Sequence, residues 1–196
     1  MNYLAHLYLT DGTGLPLSGA VLGDHVRGRL EGRFEPGLER SLRLHRHIDV
    51  VTDSHPLVVA ARTEFGPGAR RYGGIVLDLV YDHLLARDWP RYSAEPLREF
   101  VARAAAAVAD ADAWRLGTGE SGPSAWRFRH LLMSYRKESA IDLALQRTAA
   151  RMRQPQALLD AGQGWRERLP KLEPDLPPLL ADLRTAAKVF TAQPAA

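Results

Sequence analysis

The segment Ile75 to Leu85, IVLDLVYDHLL, carries Asp78, Asp82 and His83 in a run that is otherwise apolar on every face of a helix. An unpaired carboxylate taken out of water costs several kcal/mol or gives up its charge, so a sequence that keeps two there supplies a metal or a charged partner. The i,i+4 spacing of Asp78 and Asp82 stacks them one turn apart, with His83 beside them, and no basic residue lies within the segment to pair them. A second stripe occurs in LHRHIDVVTD, where His45, Asp49 and Asp53 fall at i, i+4 and i+8 among Leu44, Ile48, Val50 and Val51. Imidazole and carboxylate together suit borderline metals such as Mn, Fe, Co and Zn. His47 projects about 160° away from Asp49 on a regular helix, which leaves His45 as the better ligand. The competing account makes the same groups caps, ion pairs and surface side chains, with Asp53 helping to end the helix.

Two further candidates lie upstream. His6 sits in the apolar NYLAHLYL, and Asp24 closes the small-residue stretch SGAVLGD. Either alone fits a hydrogen-bonded core or surface residue. Six of the seven histidines, all but His130, fall in the first 83 residues beside these aspartates, and that accumulation points to a metal or acid/base site in the N-terminal half.

The elements that must position these groups are helical almost throughout. Helices are expected over Leu17 to Val26, Pro36 to Asp53, Leu57 to Glu64, the buried segment up to Arg87, Glu95 to Asp110, Trp126 to Tyr135, Ile141 to Met152, Ala157 to Arg168 and Leu176 to Phe190. Gly117 to Ser124, GTGESGPS, reads as a flexible loop. No alternating strand pattern, Rossmann glycine motif or internal repeat occurs. The expectation is an all-α single domain over residues 1–190 and a disordered tail over 191–196.

With 196 residues and 45% hydrophobic content, the chain can bury one full core. There is no cysteine, so thiolate sites are excluded and a transition metal must be held by His, Asp or Glu. The opening MNYLAHLYLT lacks a basic leader and a long apolar run, which argues against a signal peptide or membrane span and for the cytoplasm. The formal charge of +3 comes largely from arginine, and Arg27, Arg29, Arg33, Arg40, Arg43 and Arg46 fall within twenty residues. Of these, Arg27, Arg29, Arg43 and Arg46 are the candidates to face an acidic partner. No nucleic-acid or membrane partner is expected.

Four motifs in order, MNYLAHLYL, LSGAVLGDHVRG, LHRHIDVVTD and IVLDLVYDHLLARDW, resemble the acyl carrier protein phosphodiesterase family. The resemblance covers roughly residues 1–90, and the C-terminal half only through its helical character. It implies hydrolysis of the phosphodiester between 4′-phosphopantetheine and the serine of holo acyl carrier protein, a divalent metal with manganese expected, and a distant HD-phosphohydrolase-like architecture. The doublets Asp24-His25 and Asp82-His83 run in the order opposite to the HD motif. Family motif positions fall at His6, Asp24, His45, Asp49, Asp53, Asp78, Asp82 and His83. Asp24, His45, Asp49, Asp53 and Asp78 are expected to hold the metal, and His6, His83 and Asp82 to serve catalysis.

That chemistry suits these residue types. A phosphodiester repels hydroxide, so a cation is needed to offset charge and acidify the attacking water. A serine alkoxide is a poor leaving group, and His83 or His6 is placed to protonate it. Two alternatives are a metal phosphohydrolase acting on a nucleotide or other small phosphoester, and a noncatalytic helical module that binds an acidic protein.

Overall fold

Pro36 opens a helix of 19 residues because its fixed φ suits the first turn and its missing N–H is not needed there. The Glu35 carboxylate accepts from the N–H groups of Gly37 and Leu38 at 3.0 and 3.3 Å, closing that end. At the other end His55 is held extended at φ −65°, ψ 131°, as the proline after it requires. Pro56 then starts the next helix, with His55 Nδ1 accepting from the Leu57 N–H at 3.3 Å.

The computed structural model describes residues 1–109 and 111–194. Its helices are α1 Tyr3–Thr10, α2 Leu17–Leu22, α3 Pro36–Ser54, α4 Pro56–Thr63, α5 Arg70–Arg87, α6 Leu97–Val108, α7 Ala111–Thr118, α8 Ala125–Ser134, α9 Glu138–Ala149, α10 Pro155–Gly162, α11 Leu169–Leu172 and α12 Leu176–Ala192. Among the described residues there is no strand, and the protein is all-α. No described helix is long and apolar enough to cross a membrane.

The all-round apolar character of α5 has a simple cause. It lies at the centre, packed by α1, α4, α9, α10 and α12, so most of its surface is buried, with Ile75 and Asp78 only partly covered. Around it, α2 packs on α3 and α6, α6 on α8, and α12 on α3 and α1. The tight pairing of α2 with α3 depends on glycine. A Cβ at Gly19 would meet Ser41 Oγ at 2.3 Å, and one at Gly23 would meet the His45 ring at 2.2 Å.

Some boundaries differ from expectation. The helix expected through Val26 ends at Leu22, and the following turns lead to Gly28 at φ 80°, a conformation open to glycine. Gly117 and Thr118, expected in a loop, complete α7. Thr191 and Ala192, expected in the tail, are helical, and the Arg40 guanidinium donates to the Thr191 carbonyl at 2.9 Å. The end of the expected tail, Ala195 and Ala196, and Asp110 at the end of an expected helix lie outside the described residues.

Candidate functional site

Three short pieces of chain meet beside α5. Helix α1 supplies His6, the turn after α2 supplies Asp24, and α3 supplies His45 and Asp49 one turn apart. His6 Nε2 lies 3.0 Å from one oxygen of Asp49, and His45 Nε2 lies 3.2 Å from the other. Asp24 approaches His45 Nε2 at 3.5 Å. The two imidazoles stack, with centroids 4.0 Å apart and planes 23° from parallel. One ligand atom each from His6, His45 and Asp49 fall within 4.8 Å of one another.

The site is graded from dry to wet. The His6 and His45 side chains are 1% and 2% exposed, whereas those of Asp49 and Asp24 are 42% and 43% exposed. His45 Nδ1 is 2.9 Å from the Ala20 carbonyl, which can only accept, so the ring donates there and turns Nε2 toward the carboxylates.

Electrostatics follows from this packing. Burial works against charge on His45, but Asp24 and Asp49 outweigh it and bring its pKa up to about 9. Burial, with adjacent His45 adding to it, lowers that of His6. For Asp49, burial is outweighed by the two imidazoles, which hold its carboxyl well below the usual range. Asp24 is lowered as well, its burial offset by His45.

A divalent cation fits this donor set. Both ring nitrogens of His6 are buried without a hydrogen-bond partner, although Nε2 lies 3.0 Å from Asp49. A buried lone pair left this way is costly, and a cation shared with Asp49 and His45 satisfies it.

The other expected site residues are placed differently. Asp53, at the end of α3, pairs with Arg62 Nη1 at 3.0 Å in an exposed position. Asp78 lies 2.8 Å from the Met1 amino group. Asp82 is fully buried and accepts from the N–H groups of Leu4 and Ala5 at 2.7 and 3.0 Å, so it caps α1 and does not face the cluster. Burial pushes its pKa up to about 7 despite those two donors. His83 is also buried, donating from Nδ1 to the Tyr135 carbonyl at 2.7 Å and meeting the edge of Trp165. These positions correct the expectation that Asp53 and Asp78 join His45 and Asp49 around one ion and that Asp82 and His83 face the reacting groups. His6, expected as an acid, stands in the cluster with His45 and Asp49.

Of the four arginines expected to face a partner, Arg43 pairs with Glu39 at 2.8 Å and Arg29 with Glu31 at 3.3 Å. Arg46 donates to the Gly28 and Val26 carbonyls, and Arg27 is exposed. Sequence reasoning missed Tyr3, whose hydroxyl is 3.5 Å from His25 Nε2 and whose pKa is raised by burial and by Asp24. Its i,i+3 relation to His6 was the available signal. It also missed a cleft of about 900 Å³ that begins at Met1, Tyr3, Asp24 and Asp78 and runs between α5 and the pair α8 and α9.

Known proteins resemble about half of the chain. "Acyl carrier protein phosphodiesterase" of Photorhabdus laumondii is 42% identical over 97 residues, 47% of this chain and 49% of that protein. The protein of the same name from Escherichia coli O139:H28 is 45% identical over 102 residues, 52% of this chain and 53% of the relative. The chain thus spans about half the length of these relatives. No solved structure gives a significant match, so the HD-like architecture stays an expectation. The model of one family, described as acyl carrier protein phosphodiesterase, extends much further, matching residues 1–183, and this chain belongs to that family.

Proposed function

We propose that the protein is a metal-dependent phosphodiesterase, with manganese the expected ion, that hydrolyses the 4′-phosphopantetheine-serine phosphodiester of holo acyl carrier protein to apo carrier protein and 4′-phosphopantetheine. The observation that carries the reading is the convergence of His6, His45 and Asp49, with Asp24 beside them, at the end of an open cleft. The relatives' name supplies the substrate class. A cytoplasmic location belongs to the same reading.

His6, His45 and Asp49 would hold the ion. When bound, the ion supplies charge to offset the phosphodiester and to make water a better nucleophile. The protein's own groups do the rest. Ala20 fixes the His45 tautomer, so its Nε2 is presented without rearrangement. The buried imidazoles exclude water from one side of the site, and the exposed edges of Asp24 and Asp49 face the side from which substrate enters. Asp24 is 3.5 Å from His45, and from there its carboxylate can orient a water. His6 is poorly suited to protonate the serine oxygen, because burial and His45 favour its neutral form.

The test is to incubate the protein and Mn²⁺ with holo acyl carrier protein and follow the carrier by mass spectrometry. Loss of the phosphopantetheine mass, abolished by a chelator, is the expected result. An unchanged carrier at stoichiometric enzyme would overturn the proposal.

A further inference from the structure

The cleft leading to the cluster has a floor and walls of different character. Ile75, Leu79, Leu131, Leu143 and Ala144 give it apolar surface, while Arg127, Lys137, Arg147 and Arg151 stand along its α8 and α9 side. All four cations are exposed, and among the described residues none of them forms an ion pair. They share this with exposed cations such as Arg27, Arg129 and Lys188, whereas Arg29, Arg43, Arg87, Arg103 and Arg166 each have an acidic neighbour within 4 Å. Arg151 lines the same cleft as Tyr3 and Asp24. Trp126 is 67% and Leu143 43% exposed at the same cleft.

Unpaired cations raise the local concentration of an anionic partner, and an apolar floor between them suits an extended chain with little charge of its own. The cleft is continuous with the cluster through Tyr3 and Asp24, so a phosphodiester at the cluster places the rest of its substrate along α8 and α9. We infer that this cleft is the substrate-recognition site, and that its occupant is an acidic carrier protein whose phosphate-linked arm lies on the apolar floor while its acidic surface meets Arg127, Lys137, Arg147 and Arg151. The inference rests on the proposed function and adds to it the surface that selects the substrate, whose cations come from the half of the chain that holds none of the metal-binding candidates.

The test is a charge reversal, Arg147→Glu with Arg151→Glu, set against Arg98→Glu with Lys188→Glu as a control of equal charge change. Binding of holo and apo acyl carrier protein is measured by calorimetry, and turnover with Mn²⁺ is measured separately. The cleft variant should bind holo carrier protein at least about tenfold more weakly, show a shallower salt dependence and raise KM with kcat nearly unchanged. The control should stay within about twofold of the parent. Leu143→Asp, which addresses the floor, should narrow the difference between holo and apo binding. If the cleft variant binds and turns over like the parent, the inference falls while the proposed function stands. Should the parent bind holo carrier protein through these residues without hydrolysing it, the proposed reaction fails and the recognition site stands. A parent that neither binds nor hydrolyses it overturns both.

Discussion

At the scale of single residues, the close approach of His45 and Asp49 was legible because i,i+4 neighbours differ by only about 40° around a helix, and Asp53 falls away from them because four more residues carry it to about 80°. That drift takes Asp53 to Arg62. Asp49→Ala is therefore expected to lower Mn²⁺ affinity and turnover by about a hundredfold, whereas Asp53→Ala should stay within a few-fold. Equal losses in the two variants would return Asp53 to the site. The same cluster sets a pH dependence in the metal-free protein. The folded pKa of His45 is about 9, above its ordinary 6.5, so its stabilising charge interaction is complete below pH 6.5 and is lost as pH rises toward 9. Asp49 is shifted the other way, so its contribution is present above the ordinary carboxylate pKa of 3.8 and is lost as pH falls below it. Because both carboxylates are partly exposed, the His45 effect is at most about 2 kcal/mol. Thermal unfolding with chelator present should show stability falling between pH 6.5 and 9. Asp49→Asn should flatten that limb, and superimposable profiles would remove Asp49 as the cause.

At the scale of elements, the carboxylates of α5 each have a partner, the Met1 amino group for Asp78 and backbone N–H groups for Asp82. Asp82 anchors the start of α1 through Leu4 and Ala5, and His6 follows one residue later. Nothing in IVLDLVYDHLL distinguishes a carboxylate that meets a helix N-terminus from one that meets an ion, because that depends on which element packs there. Asp82→Ala leaves two buried N–H groups unsatisfied and should cost about 2–4 kcal/mol in denaturant unfolding, with Mn²⁺ affinity falling as His6 loses its position. Unchanged stability would show that α1 is held by other contacts. The glycines of LSGAVLGD carried a signal that was passed over: at i,i+4 they mark the face on which α2 approaches α3. Gly23→Ala puts a Cβ 2.2 Å from the His45 ring, so metal affinity should fall about ten- to a hundredfold. Gly66→Ala, where a Cβ meets nothing within 4 Å, is the comparison that should leave it intact. Equal affinity in both variants would show that His45 can shift without consequence.

At the scale of the whole molecule, the all-α architecture was visible in the helical periodicity, but the cleft was not. It is lined by residues of α5, α8 and α9, and no spacing within one helix records which cations on another will lack carboxylate partners. The N-terminal cluster has a matching global property, because its ligands come from α1 and α3, which are joined only through the turns and α2 between them. An ion held by both helices binds the native state and finds no such arrangement in the unfolded chain, so binding is added directly to folding stability. At a free Mn²⁺ concentration of about 100 times Kd the gain is about 2.7 kcal/mol. For a domain of this size that corresponds to a rise in Tm of about 5–10 °C. A chelator should reverse the rise, His6→Ala should abolish it by removing the α1 contribution, and Asp53→Ala should keep it. A shift of equal size in His6→Ala would mean that the ion does not bridge α1 and α3, and that the close approach of His6 to Asp49 serves packing alone.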